Sequence, residues 1–117
     1  MTFLRPKAPT HKRMKEKRAA VPTAAERRHW ERIAQMPCAA CGKRPVTIHH
    51  VTSDGYKRIA RSHKLVTPLC KECHQIIWNS KDSIEAIGHA EFCRRNGVDL
   101  LALAERLWKE SQEMENG

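Results

Sequence analysis

Four cysteines set in two Cys-x-x-Cys pairs, Cys38/Cys41 and Cys70/Cys73, are the residues of this chain whose spacing most narrowly limits their chemistry. A two-residue gap lets both sulfurs of a pair face one ion, and 28 residues between Cys41 and Cys70 leave room for a short hairpin joining the pairs. That pattern predicts a tetrahedral four-sulfur zinc site of the structural kind. A redox dithiol needs one pair at a helix start and leaves the second unexplained. Cys93 stands alone within Ala90-Glu91-Phe92-Cys93 and reads as a core residue.

With zinc filled by sulfur, His49, His50, His63 and His74 remain, all within 26 residues. A lone histidine is ordinarily satisfied by a backbone carbonyl or by water. Four of them tied together by a shared zinc ask for more. Cleaving a phosphodiester requires a base for the attacking water and a cation for the developing charge. Imidazole serves as general base or as metal ligand near neutral pH.

The elements that must hold these groups are partly written in the chain. Thr23 and Glu26 form a capping box that opens a helix, with Trp30, Ile33 and Ala34 on one face and Met36-Pro37 ending it. Gly42 permits the turn after the first cysteine pair. Residues 46–51 are rich in β-branched side chains and predict a strand ending in His49-His50. A polar loop over 52–64 leads to a second short strand, Leu65-Val66-Thr67, stopped by Pro68. Two helices are then predicted, one over residues 71–79 from the second cysteine pair and one over residues 83–95 closed by Asn96-Gly97. Asp99 caps a last helix whose Leu100, Leu103, Ala104, Leu107 and Trp108 share a face. The expected fold is a small α+β zinc-bound domain over residues 23–113, preceded by a disordered basic N-terminal arm over 1–22.

Charge is unevenly placed within the formal +9. Residues 1–22 hold seven Lys/Arg against Glu16, and residues 43–71 hold seven against Asp54. From His74 onward five bases face eight acids. A basic run alone is ordinarily a solvated tail, but a basic segment framed by metal-binding cysteines points to a polyanion, and nucleic acid is the commonest. Lys57, Arg58, Arg61 and Lys64 are expected to grip phosphates. No helix places Arg, Asn and Gln on one face for base reading, so sequence specificity is expected to be low. The first 18 residues carry no apolar run and no stretch reaches a membrane span, which predicts a cytoplasmic protein with no membrane partner.

Ile48-His49-His50-Val51 followed by Pro68-Leu69-Cys70-Lys71-Glu72-Cys73-His74 resembles the HNH, or ββα-metal, endonuclease motif, two strands and a helix around one metal. Beyond it, residues 22–28, Met36-Pro37-Cys38 and His63 are similar to the recombination-enhancement, RecA-dependent nucleases of temperate phages, a likeness covering about residues 22–79. The resemblance implies a hydrolase cutting DNA, with His49 and His74 on a catalytic divalent metal (magnesium, manganese or nickel) and His50 as general base. It also implies a place in phage recombination, a RecA-type filament as partner, and the host cytoplasm. Adjacent strand residues should point to opposite faces, so His49 and His50 share a site only at the strand end or on a bulged strand. Two positions also depart from the family pattern. The asparagine that names the motif is absent, with His63 in the intervening loop as its replacement, orienting the loop or touching the phosphate. Trp78 stands where many relatives carry a second helix histidine.

Two other readings compete. A catalytically inactive zinc-stabilised nucleic-acid-binding module explains the cysteines and the charge but gives His49, His50 and His74 no reason to coincide. A zinc adaptor binding protein through Trp108 explains neither the charge nor the histidines.

Overall fold

A computed structural model of the protein describes residues 21–51 and 63–116. Along the chain run α1 (Ala24–Ala34), β1 (Thr47–His50), β2 (Val66–Leu69), α2 (Lys71–His74), α3 (Ile84–Ile87), α4 (His89–Asn96) and α5 (Leu100–Asn116). The two strands pair antiparallel, with Thr47 opposite Leu69, Ile48 opposite Pro68, His49 opposite Thr67 and His50 opposite Val66. The result is a small α+β domain.

Side-chain caps set the starts of α1, α3 and α5. At α1 the Thr23 hydroxyl accepts from the Glu26 N–H at 3.1 Å, and the Glu26 carboxylate accepts from the Thr23 N–H at 2.8 Å. Ser83 and Asp99 cap α3 and α5 in the same manner, accepting from Ala86 N–H at 3.2 Å and Ala102 N–H at 3.0 Å.

Two expected helices are shorter than their sequence patterns suggest. The helix predicted over 71–79 is one turn, because Gln75 turns extended and Ile76, Ile77 and Trp78 are exposed with no core to cover them. A short helix gains its stability from burying a face, and two adjacent β-branched residues add none of their own. The helix predicted over 83–95 is two, α3 and α4, broken at Gly88, whose φ of 89° and ψ of 163° suit only glycine. Gly97 closes α4 in the left-handed conformation, as its sequence position predicts.

The hairpin has apolar packing on both faces, and strand alternation sorts the residues. Ile48 and Val66 face α1 and α5, where they join Ile33, Leu107, Trp30 and Leu103. Leu69 faces the other way, into a cluster of Cys38, Cys70, Ile84, Phe92, Leu100 and Ala104. Proline at 68 is tolerated because it stands opposite Ile48 at a non-hydrogen-bonded position, where β1 needs no N–H from it, and its carbonyl accepts the Ala39 N–H at 2.9 Å, tying the first cysteine turn to β2.

Between α1 and α5 lies a buried polar contact. His29 is 1% exposed, and its Nδ1 sits 2.6 Å from Ser111 Oγ, with Trp108 edge-on to the ring. Arg32 Nε donates to the same Oγ at 2.9 Å, which leaves the hydroxyl hydrogen to point at Nδ1 and favours neutral His29. Burial, then the Arg32 charge, hold its pKa below the usual histidine value, against a smaller opposite pull from the Lys64 backbone. The unfolded chain therefore takes up this proton at a higher pH than the folded one. The His29 contribution is full above the ordinary histidine pKa and is lost as pH falls below it, toward the depressed folded value. With zinc in excess, wild type should lose melting temperature more steeply than His29→Asn between about pH 7 and pH 5. Parallel curves would show that His29 does not couple folding to protons.

Candidate metal and histidine site

The first cysteine turn is held by its own backbone. Cys38 N–H donates to the Lys43 carbonyl, and Gly42, at φ 80°, donates to the Cys38 carbonyl, both at 2.9 Å. The second turn is the start of α2, where Cys73 and His74 N–H groups donate to the Cys70 carbonyl at 3.1 and 3.0 Å. These turns bring the Sγ atoms of Cys38, Cys41, Cys70 and Cys73 within 4.8 Å of one another, with Cys41 and Cys70 at 3.5 Å. Four sulfurs around one zinc at about 2.3 Å stand roughly 3.8 Å apart, so the cluster is close to the size of a tetrahedral shell.

The electrostatics of the four thiols suit a cation. Burial opposes ionisation of Cys38, yet hydrogen bonds from the backbone at Cys70, Cys41 and Ala40 outweigh it and bring the thiol down to about 7. Cys73 is pushed far up by burial and by its crowded sulfur neighbours, and Cys70 is raised by burial. Four thiolates cannot share so small a volume without a positive charge among them. Cys38 and Cys70 are buried while Cys41 is exposed, which places the cluster at the domain surface. These four cysteines could hold a structural metal such as zinc.

The two cysteine turns also position the histidines. Thr47 and His49 lie on the Leu69 face of the hairpin, and His74 sits at the end of the one-turn helix beside them. The His49 and His74 rings meet edge-to-face with centroids 4.9 Å apart. Thr47 Oγ1 donates to the Leu69 carbonyl at 2.7 Å and stands 2.7 Å from His74 Nδ1. Its one hydrogen being used, Oγ1 accepts the Nδ1 proton of His74, which puts the ring lone pair on Nε2, the atom a metal would take. A hydrogen bond to the far ring nitrogen commonly orients a ligating imidazole in this way.

His50 points to the opposite face, because β1 pairs in regular register with no bulge between the two histidines. There it meets Trp30 edge-on at 5.4 Å and His63 at 5.7 Å. Trp30 also meets the His63 ring at 5.3 Å, and its indole N–H donates to the His63 carbonyl at 2.7 Å. The sequence-predicted histidines thus form two pairs, His49 with His74 and His50 with His63, on opposite sides of the strand end.

Of the four expected phosphate contacts, Lys57, Arg58 and Arg61 lie outside the described residues, as do residues 1–20 of the arm. Lys64 is exposed, its ammonium 5.7 Å from the Trp108 ring centroid. Compared with family models, curated proteins and solved structures, the chain matches none of them.

Two residues of the site escape a reading of the sequence. Thr47 carried a signal, since it stands two positions before His49 and so shares its face. Trp30 carried none, because its helical spacing marks it as core and only the tertiary contact brings His50 and His63 to it. No helix among the described residues is long and apolar enough to cross a membrane.

Proposed function

We propose that the chain is a metal-dependent endonuclease of the HNH type, hydrolysing DNA phosphodiester bonds with low sequence specificity. The observation that carries this reading is the Thr47–His74–His49 arrangement, in which a threonine fixes the tautomer of one imidazole and a second imidazole meets it at 4.9 Å. A zinc module that only bound nucleic acid would have no need to prepare His74 in this way.

His49 and His74 are the residues to hold a catalytic divalent metal. When bound, such an ion polarises the phosphate and offsets its developing negative charge. His50 is the general base, taking a proton from the attacking water at the strand end, where the two faces of the hairpin meet. His63 backs it from the loop side. The basic residues hold the strand by its phosphates, which positions it without reading its bases. The resemblance to phage recombination nucleases extends the proposal to a RecA-type filament as the partner that directs cutting. Nicking of supercoiled plasmid by pure protein, with magnesium, manganese or nickel, tests the activity. Failure to cut with any of the three metals removes the reading and leaves the silent binding module.

Within this reading Trp30 is a positioning residue. Trp30→Phe keeps a ring against His50 and His63 but removes the N–H that holds the His63 carbonyl. Cleavage is expected to fall on the order of tenfold, the effect of one good hydrogen bond, with zinc content and DNA affinity unchanged. Wild-type nicking by Trp30→Phe would reduce that bond to a packing detail.

A further inference from the structure

Immediately after the one-turn helix, three large apolar residues in a row face solvent: Ile76 at 48%, Ile77 at 80% and Trp78 at 54% exposure. The segment is built rather than slack. Trp78 and Asn79 N–H groups both donate to the Gln75 carbonyl at 3.1 Å, and Ile76 N–H donates to Glu85 Oε1 at 2.9 Å. Asn79 Oδ1 accepts from Lys81 and Asp82 N–H groups at 3.2 and 3.0 Å. Lys71, one turn before His74, lays its ammonium 4.0 Å from the Trp78 ring centroid.

Charge narrows the occupant. Two of the nearby acids are engaged within the protein, Glu85 with Ile76 N–H and Asp82 with Arg95 at 3.1 Å. Glu72 is the remaining acid of the stretch and is half-buried, whereas Lys71 and Lys81 are exposed. An exposed indole carrying a cation suits a ligand that offers a flat π-face beside a negative charge. A protein partner is a poorer match, since three apolar side chains cover far less than the roughly 800 Å² that a stable interface buries on each side.

We propose that Trp78 and Lys71, which flank His74 in the chain, form a stacking platform for an unpaired DNA base and its phosphate. The indole face turned away from the ammonium takes the base, and the ammonium takes the adjoining phosphate. A base inside a duplex is already stacked on its neighbours, so the platform selects single-stranded or locally opened DNA. The proposal rests on the nuclease reading for its choice of DNA as the ligand.

Fluorescence titration of the zinc-loaded full chain, without catalytic metal, reads the binding free of cleavage. The probes are an oligothymidylate of about 12 nucleotides and a duplex of equal length. Wild-type indole emission is expected to be quenched by the single strand. Trp78→Ala should bind it on the order of tenfold more weakly while keeping its melting temperature and its duplex affinity, and Trp78→Phe should retain most of the binding. Lys71→Ala should lower the slope of log affinity against log salt by about 0.7. If Trp78→Ala binds single strands as tightly as wild type, or loses both forms alike, the platform is overturned. It is overturned as well if Trp78→Ala abolishes self-association and leaves strand affinity untouched. Wild type that nicks plasmid while Trp78→Ala binds normally removes the platform alone. Protein that binds single strands through Trp78 yet never cuts removes the nuclease reading alone.

Discussion

Cys70→Ser is expected to abolish the folded state, not merely to weaken it. Cys70 is 2% exposed, and its carbonyl receives the first two hydrogen bonds of the turn that carries Cys73 and His74. Serine preserves the backbone but offers zinc a poor ligand and places a hydroxyl among sulfurs and apolar side chains. Binding of a structural zinc contributes about 10–16 kcal/mol in small zinc domains, comparable with the roughly 5–15 kcal/mol by which whole domains are stable. Losing most of that term leaves little to hold α2 against the hairpin. Circular dichroism and zinc stoichiometry of the purified variant check this directly, and a chelator should reproduce the loss in wild type. Cys93→Ser is the control. Cys93 is half-buried, with its sulfur 3.7 Å from His89 Nε2, and lies outside the four-sulfur cluster, so its variant should fold with zinc bound. A zinc-free Cys70→Ser protein with a native melting transition would falsify the structural-metal account.

His50→Ala is expected to lower cleavage about 10²–10⁴-fold, the usual cost of losing a general base. His50 packs against Trp30 and His63 on the face away from the His49–His74 pair, so its removal leaves the proposed metal ligands and the four-cysteine cluster in place. DNA affinity should change little. Imidazole added to the solution should restore part of the rate, because it can occupy the vacated space and accept the proton. His49→Ala and His74→Ala should fail differently, with weakened affinity for the catalytic metal and partial recovery as its concentration rises. Thr47→Val should mimic a mild His74 defect, since it removes the acceptor that fixes the tautomer. Three histidine variants that all nick plasmid at the wild-type rate would sink the assignment.

Features set by neighbours along the chain were legible in the sequence alone. The Thr23–Glu26 box, the Asp99 cap and the Gly97 stop each depend on contacts within a few residues, and all three stand where their sequence signals put them. The two cysteine pairs were equally plain, because two-residue spacing and metal geometry leave few alternatives. Helix extent was less so. The 71–79 pattern ended after one turn and the 83–95 pattern broke at Gly88, because helix length depends on what the rest of the chain offers to cover.

By itself the sequence determined which chemistry is available: four sulfurs to gather one ion, histidines at a strand end and a helix start, and alternation that must send His49 and His50 to opposite faces. Only the tertiary structure decided the partners. The Leu69 carbonyl takes the Thr47 hydrogen and so turns Thr47 into an acceptor for His74, a consequence of strand pairing across 22 residues. Packing of α1 on the hairpin brings Trp30 to both His50 and His63. Such contacts join residues far apart in the chain, and their geometry follows from how the faces of the elements are buried together, which no local pattern encodes.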